Sequence, residues 1–120
     1  MKVPAFMLKK LYVPKSLANE PGQGFAFRLK NTLADATLLG VPEISVDGEA
    51  VATDRVSVAA GDEVWEGAKT PDDHATKFKR AMEVAVRVRG PTLPPGKHKV
   101  EVKQRSKEFE TLGFDFEDTV

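Results

Sequence analysis

Apolar and polar positions alternate with a period of two along much of this chain, and the longest run of that kind covers residues 82–102. Met82, Val84, Val86 and Val88 alternate with Glu83, Ala85, Arg87 and Arg89. His98, Val100 and Val102 then alternate with Lys97, Lys99, Glu101 and Lys103. A period of two marks a strand with one buried face. Gly90-Pro91 and Leu93-Pro94-Pro95-Gly96 separate the two runs, so the pattern predicts a long β-hairpin with a loop rich in Gly and Pro.

Elsewhere the same pattern predicts shorter strands. Phe25, Phe27 and Leu29 alternate with Ala26, Arg28 and Lys30. Residues 37–41 continue the sheet after a bulge and end at Gly40-Val41-Pro42. Residues 43–46 and 49–52 flank Asp47-Gly48, a pair that readily takes the positive φ angles of a two-residue hairpin turn. Thr53-Asp54-Arg55 makes a second turn before a strand through Val56 and Val58. Leu112, Phe114 and Phe116 form a closing strand with an acidic outer face, Phe109 anchors the charged stretch before it, and residues 118–120 are expected to fray. Pro4 and Pro14 bracket residues 5–13, which read as an irregular edge strand although the Leu8 to Leu11 step also fits a helical turn. Residues 31–36 are compatible with a single helical turn. Residues 64–78 are the least periodic and read as a loop, with Asp72-Asp73 able to cap one turn of helix. About eight short strands, close turn signals and no helix of three turns predict an all-β antiparallel β-sandwich, with residues 1–120 as a single domain.

Composition narrows the functional classes. Lysine plus arginine equals aspartate plus glutamate at 18 each among 120 residues. That zero balance argues against a dedicated nucleic-acid binder, whose phosphate contacts need an electropositive surface. It leaves solubility weakly protected, which fits a chain that hides surface in a complex. The chain has no cysteine, so disulfides, thiolate catalysis and Cys-ligated zinc are excluded. Lysines interrupt the apolar start, and no run approaches the length that spans a bilayer. A cytoplasmic protein without membrane contact is expected.

No catalytic or metal site emerges on this chain. Glu43, Asp47, Glu49, Asp54 and Asp62 stand at turns, where carboxylates are mostly structural. His74 and His98 are the only histidines and lie far apart. His98 falls on an inward face, as a packed and hydrogen-bonded side chain. No serine has a nucleophile-elbow context. Gly22-Gln23-Gly24 precedes a strand rather than a helix and so makes no phosphate loop. Arg87, Arg89, Lys97, Lys99 and Lys103 suggest a basic stripe on the hairpin, either solvated or docking an acidic partner. Trp65 is either a core anchor or an interface hot spot.

Several segments, in their order and spacing, resemble the small β subunit of bacterial C-glycoside deglycosidases. They are Met1-Lys-Val-Pro-Ala-Phe-Met-Leu-Lys-Lys-Leu-Tyr-Val, Gly24-Phe-Ala-Phe-Arg-Leu-Lys-Asn-Thr-Leu-Ala, Val46-Asp-Gly-Glu, Val88-Arg-Gly-Pro-Thr-Leu-Pro-Pro-Gly-Lys-His and Gly113-Phe-Asp-Phe-Glu-Asp. The resemblance implies a β-sandwich without cofactor, partnered by a larger TIM-barrel-like α subunit that carries a divalent metal such as manganese. It implies a lyase that cleaves the C–C bond between an aromatic aglycone and a 3-keto sugar, with this chain inactive alone. Trp65, His74 and Phe78 are then candidate contacts to the partner or the aglycone. Leu93, held in a loop stiffened by Pro91, Pro94 and Pro95, is another. A stand-alone carbohydrate-binding module and a structural subunit of another sugar isomerase-like enzyme are the alternatives.

Overall fold

The alternating segments do bury one apolar core, but they reach it from two opposed sheets. The computed structural model describes residues 3–67, 69–71 and 74–120. Its strands, in chain order, are β1 (Ala18–Glu20), β2 (Gly24–Lys30), β3 (Ala36–Val46), β4 (Glu49–Ala50), β5 (Val56–Ala60), β6 (Glu63–Glu66), β7 (Ala75–Phe78), β8 (Glu83–Arg89), β9 (Lys97–Ser106) and β10 (Glu110–Thr119). One sheet has the order β1-β2-β8-β5-β6 and the other β10-β9-β3-β4, with β7 also paired to β3. Every pairing is antiparallel. The all-β sandwich expected from the pattern is present, built from ten strands among the described residues rather than about eight.

The predicted 82–102 hairpin does not exist. β8 pairs with β2 and β5, whereas β9 pairs with β3 and β10. Residues 90–96 form an arch that carries the chain from one sheet to the other. Alternation reports which face of a strand is buried, not which strand lies beside it. β8 buries Val84, Val86 and Val88, and β9 buries Val100 and Val102, so both supply the same core from opposite sides. The basic stripe dissolves with the hairpin. Arg87 meets Glu20 on the first sheet, while Lys97 meets Glu117 on the second.

Around the arch the predicted turn chemistry holds. Asp47 and Gly48 have φ of 49° and 87°, and Val46 pairs with Glu49 across them, the two-residue hairpin expected of Asp-Gly. β3 is a single strand of 11 residues. Its pairing with β9 shifts between Leu39 and Glu43, so the bulge is there, but Gly40-Val41-Pro42 bends the strand instead of ending it.

The N-terminal segment departs most from expectation. The edge strand predicted for residues 5–13 is a helical turn, α1 (Ala5–Leu8), followed by a 3₁₀ turn over Lys9–Leu11. Pro4 starts this helix rather than blocking it: a proline lacks only an N–H that the first turn leaves unpaired anyway. Its carbonyl accepts from Met7 N at 3.1 Å and Leu8 N at 3.2 Å. Leu8 and Leu11 point into the core, and Tyr12 makes one bridge to Leu29. Residues 31–35 are irregular rather than helical. The far terminus is tied down: Val120 and Gly96 exchange two backbone hydrogen bonds of 3.0 and 3.2 Å, so residues 118–120 are held in place.

Candidate functional site

Among the described residues, a largely apolar depression of the surface lies where four segments distant in sequence meet. α1 supplies Met7 and Leu8, the 3₁₀ turn Leu11, the 31–36 segment Leu33 and Ala36, β7 Phe78, the turn before β10 Phe109, and β10 Leu112. The volume is about 390 Å³. Leu8, Leu11, Ala36, Phe78 and Leu112 are buried, whereas Met7, Leu33 and Phe109 are half-buried around the opening. Phe6, the neighbour of Met7 on α1, is 70% exposed.

Polar side chains hold these walls in place. Asn31 is buried, and its amide nitrogen donates to the carbonyls of Ala34 and Phe78, both at 2.7 Å. Its side-chain oxygen accepts from Leu33 N at 3.1 Å. One residue thus shapes the 31–35 segment and fastens it to β7, as a satisfied buried amide can. Ser106 Oγ donates to Glu110 O at 2.9 Å and accepts from Phe109 N at 3.0 Å, which closes the 107–109 turn under Phe109. Two other depressions lie beside Thr53 on the outer face of β3 and β9. Glu43, Glu101, Lys103 and Arg105 give them mixed charge.

The four contact residues read from the sequence do not form one surface. Trp65 is in β6 and Phe78 in β7, both buried in the core. The predicted 64–78 loop is instead bounded by two short strands, 63–66 paired to β5 and 75–78 paired to β3. The cap proposed at Asp72-Asp73 lies outside the described residues. His74 is exposed, and its carbonyl accepts from Gly40 N at 2.9 Å. Leu93 is half-buried against the core, with its backbone N–H and carbonyl both bonded to the Asn19 side chain at 2.8 Å. Of the four, only Phe78 lines the apolar groove.

His98 is the packed, hydrogen-bonded histidine expected from its inward position. Nδ1 lies 2.6 Å from Asp47 Oδ2, and Nε2 lies 2.7 Å from Pro94 O. The Asp47 carboxylate, and then the Pro94 carbonyl, hold its pKa above the usual imidazole value. Asp47 is held below the usual carboxylate value by His98 and then by the Lys99 amide. Both ring nitrogens are engaged, so this pair ties the β3–β4 turn to the arch and offers no free base. Among the described residues, no group of three or more His, Asp and Glu side chains is placed to hold a metal ion, and no helix is long and apolar enough to cross a membrane.

The groove escaped sequence reasoning because its walls come from residues 3–11, 31–36, 78 and 109–112. Only the Leu8 to Leu11 spacing behind Pro4 pointed toward it, together with Phe109 as an anchor.

A family model described as hydroxymethylglutaryl-CoA reductase, N-terminal domain, matches residues 7–120. That is a different family from the C-glycoside deglycosidase β subunit, and the match overturns the reading of a lyase acting on 3-keto C-glycosides. The barrel-shaped partner and its metal rested on that resemblance alone. No curated protein matches the chain.

Proposed function

Because the chain belongs to the hydroxymethylglutaryl-CoA reductase N-terminal domain family, we propose that it serves such a reductase as a non-catalytic β-sandwich module. It docks through the apolar groove beside α1 onto the larger unit that holds the reaction centre, in the same polypeptide or another. The observation that carries this reading is the groove itself; Phe6, which precedes the groove-lining Met7 in α1, is 70% exposed. An apolar depression and a largely exposed aromatic on the same short helix suit a surface that meets a partner. The titratable groups support an assembling role more than a chemical one, since His98 is occupied at both nitrogens. The module alone is inactive, and the cytoplasm is its proposed compartment.

The test is binding between the full chain and the catalytic unit of the same reductase, followed by calorimetry. Phe6→Glu should weaken the complex by about tenfold or more and leave the thermal midpoint of the isolated chain unchanged, because Phe6 packs little in the fold. Absence of any complex at concentrations up to the millimolar range would overturn the proposal.

A further inference from the structure

We infer that Arg55 and Arg89 form a binding site for a phosphate dianion, free or as the monoester of a small molecule. The site shares no residue with the apolar groove. Strand register brings the two arginines together. Val56 pairs with Val88 across β5 and β8, so Arg55 and Arg89 occupy the next positions along the two strands. Like charges directly opposite each other are destabilising in a sheet. Here crossed hydrogen bonds hold them in place. Arg55 Nε donates to Arg89 O at 2.6 Å, and Arg89 Nη2 donates to Asp54 O at 3.0 Å. The backbone on both sides is also fixed: Arg55 N–H donates to Ala52 O, and Gly90 N–H to Gln23 O, each at 3.0 Å. Gly90 leaves room for the first guanidinium, since a Cβ there would stand 2.5 Å from Arg55 Nη2.

What this pair lacks is an anion. Arg55 is half-buried and Arg89 exposed, and neither makes an ion pair among the described residues. Arg28 and Arg87, in strands of the same sheet, each meet a carboxylate: Glu83 at 2.9 Å and Glu20 at 3.3 Å. Asp54 offers Arg89 its carbonyl, not its carboxylate. A guanidinium carries five N–H donors, and the carbonyls take one from each arginine. The remaining donors belong to two planar forks anchored in one gap between residues 54–55 and 89–90. Two cations are balanced by two negative charges, which a phosphate monoester carries near neutral pH and a single carboxylate does not. Arginine forks match phosphate oxygens in bidentate geometry, and donors already held in place lose little freedom on binding.

The test is calorimetric titration of the full chain with inorganic phosphate, methyl phosphate and acetate at constant ionic strength and about pH 8, where the phosphates are mainly dianions. Phosphate should bind at least about tenfold more tightly than acetate. Arg55→Gln and Arg89→Gln should each weaken phosphate binding by about tenfold or more, whereas Arg28→Gln should leave it within about twofold. Gly90→Ala keeps both charges but drives a Cβ into the Arg55 guanidinium, and should lose as much as Arg55→Gln. A thermal scan establishes that each variant is folded. Because arginine stays charged throughout, affinity for methyl phosphate should fall as pH drops below about 6, with the second ionisation of the ligand itself. Equal binding of both phosphates assigns the site to monoesters, and binding of inorganic phosphate alone assigns it to the free ion. Acetate binding as tightly as phosphate, arginine variants no weaker than Arg28→Gln, or no phosphate binding in the millimolar range would overturn the proposal and leave the two arginines as a clasp between β5 and β8.

Discussion

His98 sits between two hydrogen-bond acceptors, and only the doubly protonated ring satisfies both. When the ring loses a proton, the Nδ1–H can stay on Asp47, but an Nε2 lone pair then faces the Pro94 carbonyl 2.7 Å away. The folded pKa is raised by the Asp47 hydrogen bond and then by Pro94. Its stabilisation is therefore complete below the ordinary imidazole value, about 6.5, and is lost as pH rises through the folded value. Asp47 and Asp118 shift the other way, so their contribution is present above the ordinary carboxylate value and lost as pH falls through the depressed ones. Urea midpoints should decline between pH 6 and pH 8.5, and His98→Gln should flatten that decline while the acid limb remains. Tyr12 stays neutral in this range, because burial and then Asp118 push its pKa up. A decline of equal slope in the variant would show that the latch carries no pH dependence. Trp65 offers a second case. Its indole Nε1–H is buried without an acceptor among the described residues, a deficit that costs about 1–3 kcal/mol. Trp65→Phe removes that deficit along with some volume, so its urea-unfolding free energy should stay within about 1 kcal/mol of the parent. Trp65→Ala should cost about 3–5 kcal/mol.

At the scale of elements, close backbone approach and terminal stapling do most to define the sandwich. At Gly24, where β2 begins beside the end of β8, a Cβ would stand 1.9 Å from Val88 O, and φ is +138°. Gly96, at the end of the arch, has φ of +125° but nothing within 4 Å of a Cβ. Gly24→Ala should therefore lower the thermal midpoint far more than Gly96→Ala, whose cost is backbone strain of about 1–3 kcal/mol. Equal losses would mean that β2 can shift away from β8. The staple joins the two ends of the chain. Tyr12 stacks on Phe116, with ring centroids 3.7 Å apart, and its hydroxyl donates to Asp118 at 2.7 Å and accepts from Leu17 N at 3.0 Å. Tyr12→Phe keeps the ring but strands the Leu17 amide, at a cost of about 1–3 kcal/mol in urea unfolding. Strand existence was legible in Phe25, Phe27 and Leu29 and in the valines of β8 and β9, because a buried face imposes its period on the residues. The Asp47-Gly48 turn was legible because its positive φ angles restrict residue choice. Pairing was not. Val88 and Val100 carry the same signal whether their strands touch or face each other across the core.

At the scale of the whole molecule, the groove was illegible for a related reason. Met7, Leu33, Phe78 and Phe109 are ordinary apolar residues in sequence, and only the folded chain brings them together. The arch at 90–96 has a further effect on how this molecule is reached from the unfolded chain. A hairpin there would be a local nucleus, closing a short loop within microseconds. The arch removes that route. β8 must instead find β2, joining Gly24 to Arg89 and Lys30 to Glu83, while β9 waits for β3 on one side and β10 on the other. Such distant pairings give a high contact order and folding on the millisecond-to-second scale. During synthesis, the apolar face of β2 emerges long before its partner β8 has been made. Between those moments the chain exposes Phe25, Phe27 and Leu29, and that interval is when it is most open to aggregation or to chaperone capture.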